Sequence, residues 1–145
     1  MSKRAIDTLQ SVDRILAEDT RHGSNVLRYH GVTTPTVSLH EHNESERVSS
    51  VISWLETGES LALISDAGTP LISDPGYRLV RACLKAGVGV SPIPGPSALL
   101  AGLSVSGLPT DAFRFVGFPP AKEAARERWL TEFKHETDTL SLIHI

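Results

Sequence analysis

The sequence predicts an α/β fold: an open parallel sheet with helices on both faces, followed by the start of a second α/β domain. Three observations predict it. Short apolar runs alternate along the chain with segments of helical period, and the connectors between them are short, which is the pattern of strand–helix–strand units in a parallel sheet. Two stiff Gly/Pro loops each follow an apolar run and precede a helical pattern. That places both loops at the carboxyl ends of strands, where open α/β sheets collect their ligands.

Taken in order, Ala5, Ile6, Leu9, Val12 and Leu16 recur at roughly helical spacing. They predict a helix over about 3–11 that passes into a short strand near Arg14–Glu18. Thr20 is the expected N-cap of a helix running to about Tyr29, which Gly31 ends. Thr36–Leu39 is the next strand, and the polar stretch His40–Glu44 follows it. Ser45 to Glu56 is expected as a helix with Val48, Val51, Ile52 and Leu55 on one face, closed by Gly58. Leu61–Ile64 is expected as the buried central strand, Tyr77–Ala86 as a helix, Val88–Ser91 as a buried strand and Ser97–Leu103 as a helix. Further on, Gly107–Thr110 is a turn, Phe113–Val116 a short strand and Gly117–Pro120 a stiff hinge. Lys122–Lys134 reads as a charged amphipathic helix with a solvated, salt-bridged face, and Thr139–Ile145 as the beginning of a strand. The resulting division is a first domain over 1–112, a linker over 113–120 and the start of another domain over 121–145.

Composition narrows the function classes. The 145 residues are 40% hydrophobic and 21% charged, with a formal net charge of −3. This is not the basic surplus of a typical nucleic-acid binder. If RNA is the substrate, a local basic patch or a partner subunit must meet its phosphates. The single cysteine, Cys83, excludes an intrachain disulfide and fits the cytoplasm. No apolar run approaches the ~20 residues that cross a bilayer, and Met1-Ser-Lys-Arg lacks the apolar segment of a signal peptide.

The two loops carry the chemistry. The first is Ser65-Asp-Ala-Gly-Thr-Pro-Leu-Ile-Ser-Asp-Pro-Gly76 and the second is Pro92-Ile-Pro-Gly-Pro-Ser-Ala98. Five of the chain's nine prolines fall between Pro70 and Pro96, more rigidity than ordinary connectors need. Gly68, Gly76 and Gly95 permit positive φ or close backbone approach to a ligand. Asp66, Thr69, Ser73, Asp74 and Ser97 supply polar groups suited to an amino-acid zwitterion or a ribose. Tight turns also favour these residue types, and Asp74 before Pro75-Gly76 fits an Asx turn. Two such loops one strand apart nevertheless point to a ligand.

Glu18-Asp19-Thr20-Arg21-His22 shares that rim. Arg21 is a candidate phosphate contact, and Asp19 or His22 a candidate base, beside the simpler reading of an N-cap and an exposed helical turn. His40-Glu41-His42 has two histidines at i and i+2 without a third ligand, which is a weak metal site, so no metal is expected. Trp54 and Trp129 lie within helical patterns and read as packing.

Four segments together resemble one family. Ala17-Glu-Asp-Thr-Arg21, His40-Glu-His-Asn43, the Ser65–Gly76 loop and Pro94-Gly-Pro-Ser-Ala98 stand in the order and spacing of the ribosomal RNA small subunit methyltransferase I group, within the tetrapyrrole methylase superfamily. Phe115-Val-Gly-Phe-Pro-Pro120 resembles its interdomain linker. The resemblance runs from about Ala5 to Thr139. It implies S-adenosyl-L-methionine as methyl donor and a cytidine 2′-hydroxyl of 16S rRNA, in the small ribosomal subunit, as acceptor. It also implies a homodimer. Carried over residue by residue, it implies cofactor contacts at Asp66, Ala67, Gly68, Thr69, Pro70, Ser73, Asp74, Pro75 and Gly76, and at Pro94, Gly95, Pro96, Ser97 and Ala98.

Members of that family begin with a strand and a loop of the type Pro-Thr-Pro-Ile-Gly-Asn-Leu, and they continue through a whole second domain. Here the chain starts inside the helix that should follow the first strand, and Ser141–Ile145 departs from the pattern. The chain is therefore expected to be an incomplete piece whose own activity is in question. Competing readings are a precorrin-type tetrapyrrole methylase, a magnesium-dependent phosphohydrolase using Asp66 or Asp19, and a non-catalytic fragment that binds cofactor or a partner subunit. The Ala17–Arg21 and His40–Asn43 segments favour the rRNA branch.

Overall fold

The computed structural model of the chain describes residues 1–143. It falls into two compact units, 1–96 and 97–145, each treated by itself. The first unit runs α1 (Lys3–Ser11), β1 (Arg14–Ala17), α2 (Thr20–Tyr29), β2 (Thr36–Ser38), α3 (Glu44–Glu56), β3 (Leu61–Ile64) and α4 (Tyr77–Lys85). Its strands form a parallel sheet in the order β2-β1-β3.

Strand alternation divides the core. Leu16 of β1 with Leu61 and Leu63 of β3 packs toward α3 and α4, among Leu39, Val51, Leu79 and Cys83. Ile15, Ala62 and Ile64 face the other way, among Leu9 of α1, Leu27 of α2 and Val32. Successive side chains of a strand point to opposite faces, so one short apolar run feeds both cores. The expected helices on both faces of a parallel sheet are therefore present. Ile15, Leu16 and Ala17 are at most 2% exposed; burying each of the two larger side chains contributes roughly 1.5–3 kcal/mol.

The amino ends of β1 and β3 are locked together. The Asp13 carboxylate accepts from both the amide (2.7 Å) and the hydroxyl (2.8 Å) of Ser60, which holds its pKa below the usual range. Arg14 forms a two-pronged ion pair with Glu59, and its guanidinium lies 4.5 Å from the ring centre of Trp54. Trp54 is thus a packing residue, as its position in a helical pattern predicts.

Several elements differ from expectation. Asp19, not Thr20, caps α2: its carboxylate accepts from the Arg21 amide, one residue earlier because the chain leaves β1 sooner. α2 does end just before Gly31, whose φ is +67°, with Val32 donating back to Leu27 in a Schellman-type closure. Leu61–Ile64 is neither central nor fully buried. β1 holds the centre, every residue of β3 is half-buried, and the outer edge of β3 has no ladder partner among the described residues. Val88–Ser91 forms no strand. The Val88 amide is taken by Cys83 O in closing α4, its side chain packs on the core, Gly89 offers no side chain, and Val90 is 47% exposed, so among the described residues no ladder pairs the run with a strand.

The second unit comprises α5 (Ala98–Val105), β4 (Phe113–Phe115), α6 (Glu123–Thr131) and β5 (Thr139–Ser141). β4 and β5 pair in parallel across α6, a single strand–helix–strand unit. α6 ends at Thr131, three residues before the expected Lys134, as the chain tightens into turns at Glu132–Lys134. Its interleaved charges form no ion pair among the described residues. Arg126 instead donates to the Ala121 carbonyl, and the ion pair of this unit joins Arg114 to Glu136. Trp129 packs edge-on against Phe133. Of the strand expected over 139–145, the last two positions lie outside the described residues.

The start of α4 gives two tests. Gly76 has no side chain to cap the helix, and the buried Glu44 of α3 does so instead, its Oε1 accepting from Leu79 N at 3.0 Å. Glu44→Ala orphans that amide and is expected to cost about 1–3 kcal/mol, whereas Glu44→Gln keeps an acceptor and costs less. Gly76 has φ +123°, and a Cβ there would sit 2.6 Å from Leu63 Cδ2. Gly76→Ala is expected to cost about 2 kcal/mol or more. Urea unfolding of the variants beside wild type checks both.

Candidate active site at the carboxyl edge of the sheet

The ladder pairs Ala17 with Ile64, so the residues that follow, Glu18-Asp19 and Ser65-Asp66, emerge side by side. The Asp19 amide donates to Asp66 Oδ1 at 3.3 Å, carrying the pairing one step past the strands. From there the first stiff loop coils tightly. Gly68 and Gly76 have positive φ, and so do two residues with side chains, Leu71 at 73° and Ser73 at 63°. A left-handed residue with a side chain costs about 1 kcal/mol or more, and such strain gathers at sites that hold ligands. Thr69 Oγ1 donates to Pro96 O at 3.2 Å, tying the first loop to the second.

Two cavities flank this loop. The first, about 360 Å³, is walled by apolar side chains of α1, α2 and β3, including Leu9, Val26, Ala62 and Ile64. At its mouth stand Ser65, Asp66, Ala67, Gly68 and Pro70 of one loop and Gly95 and Pro96 of the other, with His22 alongside. A Cβ at Gly68 or Gly95 would meet nothing within 4 Å, so the backbone there is open to a ligand. The second cavity, about 310 Å³, is lined by Ser73, Asp74 and Pro75 together with Glu18, Glu41, Glu44, Tyr77 and Arg78.

The structure therefore brings most of the expected residues to one rim but distributes them. Asp66–Gly68, Pro70, Gly95 and Pro96 open on the first cavity, and Ser73–Pro75 on the second. Thr69 joins the loops, Gly76 is buried beneath α4, and Pro94 O accepts from the Ser2 hydroxyl. Ser97 and Ala98 belong to the second unit, where Ser97 Oγ caps α5 by accepting from Leu100 N.

The three catalytic candidates are placed less favourably for proton transfer. Asp19 is fully committed: Oδ1 accepts from the Arg21 amide and Nε, and Oδ2 from Nη2. Arg21 thereby holds the Asp19 pKa down at about 2. The Arg21 side chain is 90% exposed, and His22 is exposed on the first turn of α2.

Sequence reasoning passed over Glu18. It shares a strand face with Leu16, two residues earlier, and so looks toward α3, α4 and the second cavity. Burial, and then the Asp74 and Asp66 carboxylates, push its pKa above the usual range, against the pull of the Asp66 amide and His40. Asp74 is also raised, by burial first and Asp66 after it, with the Ser65 hydroxyl opposing. His40 is held at its turn by its own amide, which donates to Asn43 Oδ1, and its buried Nδ1 has no hydrogen-bond partner among the described residues. Among the described residues no three His, Cys, Asp or Glu side chains converge as metal ligands.

Comparison with known proteins agrees with this architecture. A protein from Xylella fastidiosa (strain Temecula1) named "Ribosomal RNA small subunit methyltransferase I" is 55% identical over 140 residues, 97% of this chain and 51% of its own length. The protein of the same name from Escherichia coli O157:H7 is 46% identical over 140 residues, covering 97% of this chain and 49% of its own. The chain thus spans about half the length of the curated relatives it matches. In fold it is similar to the crystal structure of uroporphyrin-III-C-methyltransferase from Thermus thermophilus, with a TM-score of 0.60 and 18% identity over all of this chain and 61% of the other. The family described as Tetrapyrrole (Corrin/Porphyrin) Methylases matches residues 1–145, and the chain belongs to that family.

Proposed function

We propose that this chain carries the cofactor-binding layer of an S-adenosylmethionine-dependent methyltransferase that acts on a cytidine 2′-hydroxyl of 16S rRNA in the small ribosomal subunit. The observation that carries the reading is the strained Ser65–Gly76 loop. It is stitched to Pro96 and opens on an apolar cavity at the carboxyl edge of a parallel sheet. The shared name of the relatives in the preceding comparison supports the acceptor.

The residues present fit an adenosyl ligand. The wall of Leu9, Val26 and Ile64 offers an apolar surface for a purine, and the open backbone at Gly68 and Gly95 allows close approach. Asp66 Oδ2, left free by the bond from Asp19 to Oδ1, is placed to accept from a ribose hydroxyl or an ammonium group. When bound, the sulfonium supplies an activated methyl group and a neutral leaving group. What this chain adds is position: the prolines and the Thr69–Pro96 bond fix both loops before binding, so little entropy is lost on ordering them.

In this reading Asp66–Pro70, Ser73–Gly76 and Pro94–Pro96 form the cofactor rim, and a division into domains over 1–112 and 121–145 accompanies it. The protein acts as a homodimer in the cytoplasm. Among the described residues no helix is long and apolar enough to cross a membrane.

Titration calorimetry with S-adenosylhomocysteine tests the cofactor rim. Saturable heat is expected, with at least a tenfold loss of affinity in Asp66→Ala, about 1.4 kcal/mol. Equal binding by the variant removes Asp66 from the site. The acceptor is tested by offering methyl-labelled donor with small ribosomal subunits or with a tetrapyrrole to the full-length gene product carrying this sequence. Label in rRNA is the expected result, and label in the tetrapyrrole alone assigns the other branch of the family.

A further inference from the structure

With a net charge of −3, the chain can hold an RNA acceptor only where its cations gather. On most helices they are neutralised or mixed with acids. Lys3 of α1 pairs with Asp7, Arg21 of α2 pairs with Asp19, and acids and bases alternate along α6. α4 differs. Its sequence, Tyr-Arg-Leu-Val-Arg-Ala-Cys-Leu-Lys, carries Arg78, Arg81 and Lys85 and no acid. None of the three enters an ion pair among the described residues.

The helix presents them together. At 3.6 residues per turn the three fall within about 60° of one another, and Tyr77 and Arg81 are neighbours at i and i+4. Leu79 and Cys83 lie on the opposite side, in the core beneath the helix. All three cations are exposed, and so are Tyr77 (64%) and Leu84 (63%) beside them.

The stripe begins at the rim of the candidate site. Tyr77 and Arg78 line the second cavity together with Ser73 and Asp74, and Arg78 is set in place by donating to the Ser45 hydroxyl of α3. Lys85 stands about 10 Å further along the axis, a length that spans about two or three phosphates of one strand. The carboxylates of that cavity, Glu18, Glu41 and Asp74, repel phosphate at the rim itself. A polyanion that reaches the rim is therefore drawn off it along α4. Glu46 and Glu56 of the neighbouring α3 are exposed and form no ion pair with the stripe.

We infer that the outer face of α4 docks the acceptor RNA, with Arg78, Arg81 and Lys85 holding backbone phosphates and Tyr77 stacking on a base beside the rim. The inference rests on the function proposed above. Cations that track a backbone, with an exposed ring among them that accepts a base of any identity, are what a single strand requires. The apolar cavity fitted to the donor lies on the α1 and α2 side of the sheet, and α4 packs on the other. Donor and acceptor thus reach the Ser65–Gly76 loop from opposite faces, which keeps the anionic strand out of the apolar cavity.

The test uses the full-length gene product binding small ribosomal subunits in KCl from about 50 to 200 mM. Wild-type affinity should fall steeply with salt, as counterion release requires. The Arg81→Gln/Lys85→Gln double variant should bind about tenfold more weakly at the lowest salt. Its slope of log affinity against log salt should shrink by about 1.4, half of that for each lost contact to a single strand. In methyl transfer it should raise KM and leave kcat within about twofold of wild type, because the lost binding is shared by ground and transition states. Arg81→Lys keeps the charge and should keep the slope, whereas Tyr77→Leu should weaken binding at unchanged slope, since stacking releases no counterion. Melting temperature and S-adenosylhomocysteine affinity should match wild type throughout. Benzoylphenylalanine in place of Leu84 should crosslink to rRNA under light.

An unchanged slope in the double variant overturns the inference. So does the same loss per charge in Arg28→Gln on α2, which makes the effect one of net charge alone. Crosslinks confined to a ribosomal protein or to a second copy of this chain overturn it as well. Wild-type protein that labels a tetrapyrrole and no rRNA overturns the proposed function, and the acceptor strand with it, before any variant is compared.

Discussion

The parallel register of β1 against β3 is the constraint on which the rest of the first unit depends. With Arg14 opposite Leu61 and Ala17 opposite Ile64, both strands end at one level, and the segments that follow must share a rim. A slip of one residue would turn every side chain to the other face. Leu16 and Leu63 would then leave the core beneath α3 and α4, and Ile15 the core beneath α1 and α2. The register is also fixed at the end away from the site, where Asp13 grips Ser60 and Arg14 grips Glu59 while lying over Trp54. The locking contacts lie at one end of the sheet and the candidate site at the other.

That separation lets the rim carry strain. Leu71 and Ser73 adopt backbone conformations unfavourable for residues with side chains, and Glu18 and Asp74 are carboxylates partly removed from water beside other carboxylates. None of this favours folding. It is tolerated because Gly76 seats Leu63 and Leu71 tightly beneath the loop, Glu44 secures the helix that follows, and the two loops brace each other through Thr69. Proteins commonly concede stability at sites where a ligand must be met by a fixed arrangement.

Much of this was legible in the sequence. The bounds of α1 and β3 agree with the periodic and apolar patterns, because those patterns are what the two cores select. The resemblance carried by Ser65–Gly76 and its companion segments marked the loops that the structure gathers. The failures have physical causes. Val88–Ser91 looks like a strand because its residues suit one, yet a strand also needs a neighbour, and an apolar run does not encode its partner. Leu61–Ile64 was placed at the centre because it is the most apolar run, whereas the centre belongs to Arg14–Ala17, whose arginine is accommodated by the Glu59 and Trp54 contacts. The ion pairs expected along α6 did not form, since alternating charges on an exposed helix gain little from holding one geometry.

Glu18 and Asp19 show why a motif cannot assign its own chemistry. As letters they are two adjacent acids at a strand end. In the fold, alternation along β1 sends them to opposite sides. Glu18 follows the face of Leu16 into the half-buried cavity shared with Asp74 and Glu44, and Asp19 follows the face of Ala17 to the first turn of α2. There the α2 amides and the Arg21 guanidinium stabilise its charge, whereas burial and like charge oppose the charge of Glu18. The same functional group is a stabilised anion at one position and a carboxylate whose charge is opposed at the next. The difference arises from a single bond's worth of strand geometry, and it holds only while the ladder beneath it keeps its register.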